Sequence, residues 1–252
     1  MDQKSFFFFF ERHCLKHLFF LILFTFLVPI TFAYSQETIC HKYVVLNPTQ
    51  EPAMGPRCRV VGDVFYFDGA VTEDLFYELR DFYPNVKTIE LNSYGGLVEA
   101  GYKIAELVRE RGISTNVRKD ARCASACTLI YQAGVHRSAH PSVRFLYHGA
   151  RLSSDWFPNW LDYRYEFGRQ KGTDFVARQI QEVQEETEKF FSKMISYGMN
   201  PDFIKYYRSL PESKTWFQDG NFTRTQDLII AAPKLINYQI VQDFDFRTSV
   251  PE

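Results

Sequence analysis

Leu91-Asn92-Ser93-Tyr94-Gly95-Gly96 sets the reading of this chain, together with two residues that follow it at a distance. Ser125 lies 29 positions beyond Gly96, inside Cys123-Ala124-Ser125-Ala126-Cys127. His148 lies 23 positions beyond Ser125, at the end of Val143-Arg144-Phe145-Leu146-Tyr147-His148. A glycine loop supplies backbone N–H donors, a serine a nucleophile and a histidine a general base, which is the equipment for acyl transfer to serine. Singly, each has an ordinary reading: a tight turn, a helix cap, a structural residue at a strand end. Their order carries the weight, because catalytic groups in α/β folds gather where strands end and helices begin.

The surrounding pattern places all three at such junctions. Residues 60–71 hold apolar runs around Gly62 and Gly69 and read as a strand or hairpin. Residues 72–82 read as a helix with Thr72 as N-cap, and 86–91 as a strand. Residues 97–111 are amphipathic, with Val98, Tyr102, Ala105, Leu107 and Val108 mostly on one face, and Gly112 ends the helix. A strand over 113–117, a buried apolar helix over 126–133 closed by Gly134, and a strand over 143–147 follow. Strands alternating with helices imply crossover units and a largely parallel sheet, an α/β fold.

The stretch from about Gly62 to Arg151 resembles the proteolytic subunit of the Clp protease and its exported relatives in the ClpP/crotonase superfamily. Asn92-Ser93-Tyr94-Gly95-Gly96 is similar to that family's Asn-Ser-Pro-Gly-Gly loop, Gly101-Tyr102-Lys103-Ile104-Ala105 to the helix after it, and Ala124-Ser125-Ala126-Cys127 to the nucleophile segment of the exported relatives. The resemblance implies a spiral of ββα units with a mainly parallel sheet and a long helix after the catalytic histidine. It implies Ser125 as nucleophile, His148 as base, and the N–H groups of Gly96 and Ala126 as the oxyanion hole. The sequence departs from the family in two places. Tyr94 replaces the loop proline. The family's acidic third residue has no evident counterpart: its region reads Ile204-Lys205-Tyr206-Tyr207-Arg208-Ser209, with Tyr207 nearest and Asp202 and Glu212 as further candidates. A Ser-His dyad and a triad both stay open.

A chain of 252 residues fits one domain plus an export segment. The net charge of −1 offers no global field for nucleic acid or an acidic membrane. Residues 1–35 read as a signal peptide or signal anchor. Lys4, Arg12 and Lys16 supply positive charge, 18–28 is an apolar core interrupted only by Thr25, and Pro29 ends it. Cleavage after Ala33 and after Ser35 both suit a signal peptidase. An uncleaved anchor in the inner membrane, facing outward, is the alternative to a periplasmic or secreted product. Residues 36–57, with Pro48, Pro52 and Pro56, read as an extended tail, and 58–252 as the α/β domain.

Export removes Cys14 with the signal and leaves Cys40, Cys58, Cys123 and Cys127, an even set that in an oxidising compartment favours disulfides. The expected pairs are Cys40–Cys58 and Cys123–Cys127. The alternative for the second pair is two small buried thiols packing the helix after Ser125, since an i,i+4 pair bridges easily only where the backbone is non-helical at one end. No histidine stands at ligand spacing to these cysteines, so neither metal nor cofactor is expected.

Beyond His148 the pattern changes. Trp156, Trp160, Tyr163 and Phe167 fall at helical spacing and read either as a face docked on the core or as a wall beside the active site. Residues 173–197 read as a long helix in which Val176, Ile180, Val183, Thr187, Phe190 and Met194 repeat in an a/d pattern. So long a stripe also suits a subunit contact in a homo-oligomer. Residues 223–232 are expected to form a short terminal helix. Three functions compete: a serine peptidase acting on short or unfolded peptides, a peptide-binding module on the same fold, and an acyl-CoA enzyme of the crotonase branch, which export separates from coenzyme A. A Ser-Lys arrangement would use Lys103 or Lys119 as base.

Overall fold

The computed structural model describes residues 38–39, 57–150, 164–211, 213–217, 220–225 and 228–246. The chain divides into two units, Met1–Gln36 and Glu37–Glu252, and every described residue belongs to the second. The expected targeting segment over 1–35 lies outside the described residues, as do Cys40, most of the tail over 36–57, Trp156, Trp160, Tyr163 and Glu212.

Twelve strands are described: β1 (Thr38–Ile39), β2 (Arg57–Val61), β3 (Val64–Asp68), β4 (Thr88–Asn92), β5 (Ser114–Val117), β6 (Cys123–Ala124), β7 (Arg137–Ala139), β8 (Arg144–Tyr147), β9 (Ser213–Phe217), β10 (Gly220–Thr225), β11 (Leu228–Ala231) and β12 (Asp243–Phe244). Seven of them form the main sheet in the order β1-β2-β3-β4-β5-β7-β12. The β1–β2 and β2–β3 pairs are antiparallel, and the pairs from β3 to β12 are all parallel. A smaller sheet, β11-β8-β6, carries a parallel β6–β8 pair and an antiparallel β8–β11 pair. A bridge between Ser93 and Cys123 links the two sheets. The fold is mixed α/β with a mostly parallel main sheet.

Helices cover the sheet by burying one apolar face each. Helix α1 (Glu73–Phe82) starts at Thr72, whose Oγ1 accepts the Leu75 N–H, and Glu73 and Asp74 complement its positive end. Helix α2 (Val98–Glu110) buries Ala100, Ile104, Ala105 and Val108, and Gly112, at φ +63°, turns the chain back into β5. Helix α3 (Ala126–Ala133) is buried on every side, as an apolar run without a polar face demands. It packs so closely on α2 that a Cβ at Gly101 would lie 3.2 Å from the Ala126 Cβ.

The last turn of α3 is tied to the C-terminal part of the chain by Arg137. This side chain is 4 % exposed. Its guanidinium donates to the carbonyls of Gly134 (2.7 Å), Gln239 (2.9 Å) and Ile240 (3.1 Å). Its backbone N–H donates to Gln242 Oε1 at 2.6 Å. Burial lowers the Arg137 pKa, yet a fork of donors matched to carbonyls keeps the group satisfied without a carboxylate.

After His148 comes the long helix α4 (Arg169–Ser196), then α5 (Asp202–Arg208) and α6 (Ala232–Leu235). Along α4 the buried residues are Gly172 near the start and Phe190, Phe191 and Met194 towards the end, while Val176, Ile180 and Val183 stay half-buried. The helix expected over 223–232 is not formed. Residues 220–225 and 228–231 are strands, and the helix begins only at Ala232, with Pro233 in its first turn. Leu228 and Ile230 face the core and Ile229 faces solvent, a two-residue alternation that pairing with β8 selects over a helical face.

Arg137→Met is expected to destabilise the domain by about 3 kcal/mol, because it strands several buried carbonyls. Urea denaturation measures this. A loss below about 1 kcal/mol would show that the carbonyls find other donors.

Candidate active site

The site forms where the C-terminal end of β4 meets the start of α3. Past Asn92 the chain cannot continue as a strand, because Ser93 Oγ accepts the Gly95 N–H at 3.0 Å and closes a tight turn. The loop is then stitched on both sides. Gly95 O accepts the Val71 N–H (2.8 Å) and Val71 O accepts the Leu97 N–H (2.9 Å). Ser93 N–H donates to Arg122 O (2.7 Å), and Ser93 O accepts the Ala124 N–H (3.0 Å). Two positions in the loop require glycine. Gly95 has φ +97°, and a Cβ there would lie 2.6 Å from the Ser125 Cβ. Gly96 has φ +152°, and a Cβ there would lie 2.3 Å from Val71 O.

Ser125 sits between β6 and α3 at φ 54° and ψ −128°. Such a conformation is costly for a residue with a Cβ, and the surroundings enforce it. Ser125 N–H donates to Leu146 O at 2.9 Å, and Ser125 O accepts both the Thr128 N–H (2.8 Å) and the Thr128 hydroxyl (2.7 Å). A strained non-glycine residue on a strand-to-helix turn is the geometry that presents a nucleophile above a sheet. Among the described residues, neither the Gly96 N–H nor the Ala126 N–H donates to an acceptor. The Ala126 N–H also belongs to the positive end of α3.

His148 follows the last residue of β8, the strand whose Leu146 holds the Ser125 N–H. Its Nδ1 lies 2.6 Å from Gly149 O. A carbonyl only accepts, so Nδ1 carries the proton and Nε2 is the basic nitrogen.

Ser125 and His148 line one cleft of about 120 Å³, together with Gly96, Val98, Gly149, Ala150, Glu186 and Phe190. Helix α4 closes one wall. Its Thr187 hydroxyl donates to Val183 O (2.8 Å) and accepts the Ala150 N–H (2.9 Å), which pins the chain just beyond His148. A Cβ at Gly149 would lie 2.9 Å from the same Thr187 Oγ1, so glycine is what lets the segment dock.

Glu186 is the cleft residue that sequence reasoning missed. Its signal was present: Val183, Glu186 and Phe190 fall at i, i+3 and i+7, so a carboxylate stands on the docked face of an amphipathic helix. Burial, and then the Glu186 carboxylate, push the Tyr102 phenol up, so that it stays protonated. Glu186 Oε1 and Tyr102 Oη are both buried and complete no hydrogen bond among the described residues. Lys189 Nζ lies 3.6 Å from Glu186 Oε2 and 4.3 Å from the centre of the Tyr102 ring.

Of the candidates for a third residue, Glu212 lies outside the described residues, and Tyr207 and Asp202 do not line this cleft. Tyr207 is buried on α5 with its ring 4.8 Å from that of Phe191. Asp202 is exposed and paired with Lys205 at 2.7 Å. The alternative bases fare no better. Lys103 pairs with Glu73 at 3.0 Å, and that hydrogen bond raises its pKa, the wrong direction for a base. Lys119 is exposed and lies outside the cleft. The cysteines around the serine are bridged: Cys123 and Cys127 form a disulfide with a Cα–Cα distance of 5.3 Å. The bridge is reachable because Cys123 is extended and only Cys127 is helical. Cys58 is disulfide-bonded as well.

No family model and no curated protein matches the chain. Among solved structures it is similar to a ClpP1 point mutant from Listeria monocytogenes. That match has 17% identity, covers 73% of this chain and 92% of that one, and has a TM-score of 0.48.

Gly95→Ala is expected to remove activity and to destabilise the fold by about 2 kcal/mol or more, since strain from positive φ adds to a clash with Ser125. Thermal unfolding and turnover measured on one preparation check both parts, and a fully active variant would contradict the close approach. Trypsin cutting after Arg122 and Arg137 releases residues 123–137 as one peptide. Without reductant its mass should be lower by two hydrogens than after reduction, and equal masses would exclude the bridge.

Proposed function

We propose that this chain is an exported serine-type peptidase that needs no ATP and hydrolyses short or unfolded peptides. The observation that carries the reading is the shared cleft: Ser125, held at positive φ at the start of α3, and His148, with Nδ1 protonated, open onto the same space beside Gly96. In this mechanism Ser125 Oγ attacks the peptide carbonyl as His148 Nε2 takes its proton. The carbonyl oxygen becomes an oxyanion held by the N–H groups of Gly96 and Ala126, donors of a kind worth about 3–4 kcal/mol each where one has been removed from a protease. The C–N bond then breaks, and His148 returns the proton to the leaving amine. Water attacks the acyl-enzyme with His148 again as base, releasing the acid and restoring Ser125.

The Gly149 carbonyl orients the imidazole at Nδ1. It holds the tautomer that catalysis needs, but as a dipole it stabilises an imidazolium less than a carboxylate does. Glu186, in the same cleft, supplies a negative charge. A Ser-His dyad and a Ser-His-acid triad both fit this arrangement. The departure of the 204–209 segment from the family's acidic residue favours the second reading, a peptide-binding module with weak or no turnover.

The same proposal covers the wider assignment: a ClpP/crotonase-like spiral of ββα units over 58–252, preceded by the 36–57 tail and the 1–35 signal peptide or anchor. The product would be periplasmic, secreted, or anchored in the inner membrane and facing outward. The Cys123–Cys127 bridge supports an oxidising compartment. The half-buried Val176, Ile180 and Val183 support a homo-oligomer formed through the 173–197 helix.

A fluorophosphonate probe tests the chemistry. The purified protein should be labelled on Ser125, and Ser125→Ala should lose both labelling and cleavage of unstructured peptides while melting at the wild-type temperature. Cleavage retained by Ser125→Ala would overturn the assignment. Absence of labelling in the wild type would leave the binding module as the better account.

A further inference from the structure

A second and larger hollow, of about 370 Å³, reaches Ala124, the residue before Ser125. Its floor is the outer face of the β11-β8-β6 sheet. Phe145 and Tyr147 of β8 point into the core, so Arg144 and Leu146 face outward. Ile229 of β11 pairs directly with Leu146, and Ala124 of β6 pairs with Leu146 from the other side. Ala124, Leu146 and Ile229 therefore form one apolar row across three strands, and the row ends at the residue before Ser125. Tyr94, in the loop before Gly95, walls this end and is 65 % exposed, as is Ile229.

Two residues further from the serine the character changes. Arg144 stands on β8, and the same parallel register brings Arg122, just before β6, beside it. Both line the hollow and both are exposed. Arg122 stacks over the Tyr94 ring at 4.9 Å. Neither has an ion-pair partner among the described residues, in contrast to Arg118, which reaches Asp68 and Glu90. Asp120, also in the hollow, pairs with neither. Two adjacent guanidiniums left without a carboxylate, next to an apolar row, present a surface complementary to an anion attached to something apolar. Along a strand the arginines and the apolar row lie about 7 Å apart, the distance between side chains i and i+2 on one face of an extended peptide.

We infer that this hollow binds an extended peptide carrying an apolar side chain and, two residues further from the scissile bond, an acidic one, the apolar residue resting on Leu146 and Ile229 and the carboxylate on Arg122 and Arg144. The inference rests on the peptidase reading only in placing the scissile bond at Ser125; binding itself needs no turnover. The surface chooses an acidic side chain over a terminal carboxylate, because the apolar row lies between the arginines and the serine and the peptide must run past both.

The experiment uses full-length Ser125→Ala protein and fluorescent peptides, amidated at the C-terminus, that carry Leu and Glu two residues apart. Fluorescence polarisation should show binding about tenfold tighter than for the same peptide with Gln in place of Glu, the size of a charge-assisted contact discounted for exposure. Moving Glu to the adjacent position should erase the advantage. So should the double variant Arg122→Gln/Arg144→Gln, and rising salt should shrink it. Lys87→Gln, at the opposite end of β4, removes the same charge and should change nothing. Equal affinity for the Glu and Gln peptides, no binding of the Glu peptide, or a Glu preference that survives loss of both arginines would each overturn the inference. Probe labelling at Ser125 without an acid preference would sink this inference alone; an acid preference without labelling would sink the peptidase reading alone.

Discussion

The whole site depends on how closely one loop approaches the chain on either side of it. Residues 93–97 are held between Val71 and the 122–124 segment by backbone hydrogen bonds of 2.7–3.0 Å. There is no room in that sandwich for side chains at Gly95 or Gly96. Backbone bonds of this kind do not depend on rotamers, so the loop's position is a property of the sheet. Because Leu146 O also holds the Ser125 N–H, the strand just before His148 and the loop that carries Gly96 are both bonded to the 122–125 segment. Gly96, Ser125 and His148 are thus placed by one hydrogen-bonded frame rather than by three independent elements.

The same frame supports Ser125 in a conformation that an isolated chain would avoid. A helix that began one residue earlier would relieve the positive φ, but it would break the bond to Leu146 O and draw Cys127 away from the extended Cys123. The buried residues of α3 weigh on the same side, since turning Leu129, Ile130 or Tyr131 outward would expose apolar surface. Local cost is held in place by burial and cross-linking around it, the usual condition under which strain persists.

Much of this was legible before any coordinates. Gly95, Gly96, Ser125 and His148 stand out by order and spacing, and the alternation of apolar strands with amphipathic helices specifies the parallel part of the sheet. Thr72 as cap, Gly112 as helix stop and the buried run over 126–133 follow from local rules that tertiary structure did not override. The misreadings have physical causes. The 223–232 segment contains a helix-compatible composition, yet Ile229 and Ile230 are β-branched and Pro233 marks where a helix can start. Glu186 was hidden because a glutamate on a long, charged helix reads as solvent-facing, and only its spacing to Val183 and Phe190 distinguishes it. The Gly149 carbonyl at His148 Nδ1 was beyond reach, since every residue has a carbonyl and only the fold decides which one meets an imidazole.

The Arg137 guanidinium also bears on the order in which the molecule can be made. Its acceptors at Gln239 and Ile240 lie 102 and 103 residues downstream. A nascent chain that has already supplied the strands, the glycine loop and the serine still lacks the carbonyls that satisfy this buried cation. Helix α3, which has Ser125 at one end and Arg137 just past the other, therefore settles only when nearly the last described residues arrive. Long-range closure of this kind is slow compared with forming a helix or a hairpin. Completion of the site is coupled to the arrival of residues 239 and 240, and a product cut short before them carries Gly96, Ser125 and His148 in its sequence without the clasp that sets the helix beneath them.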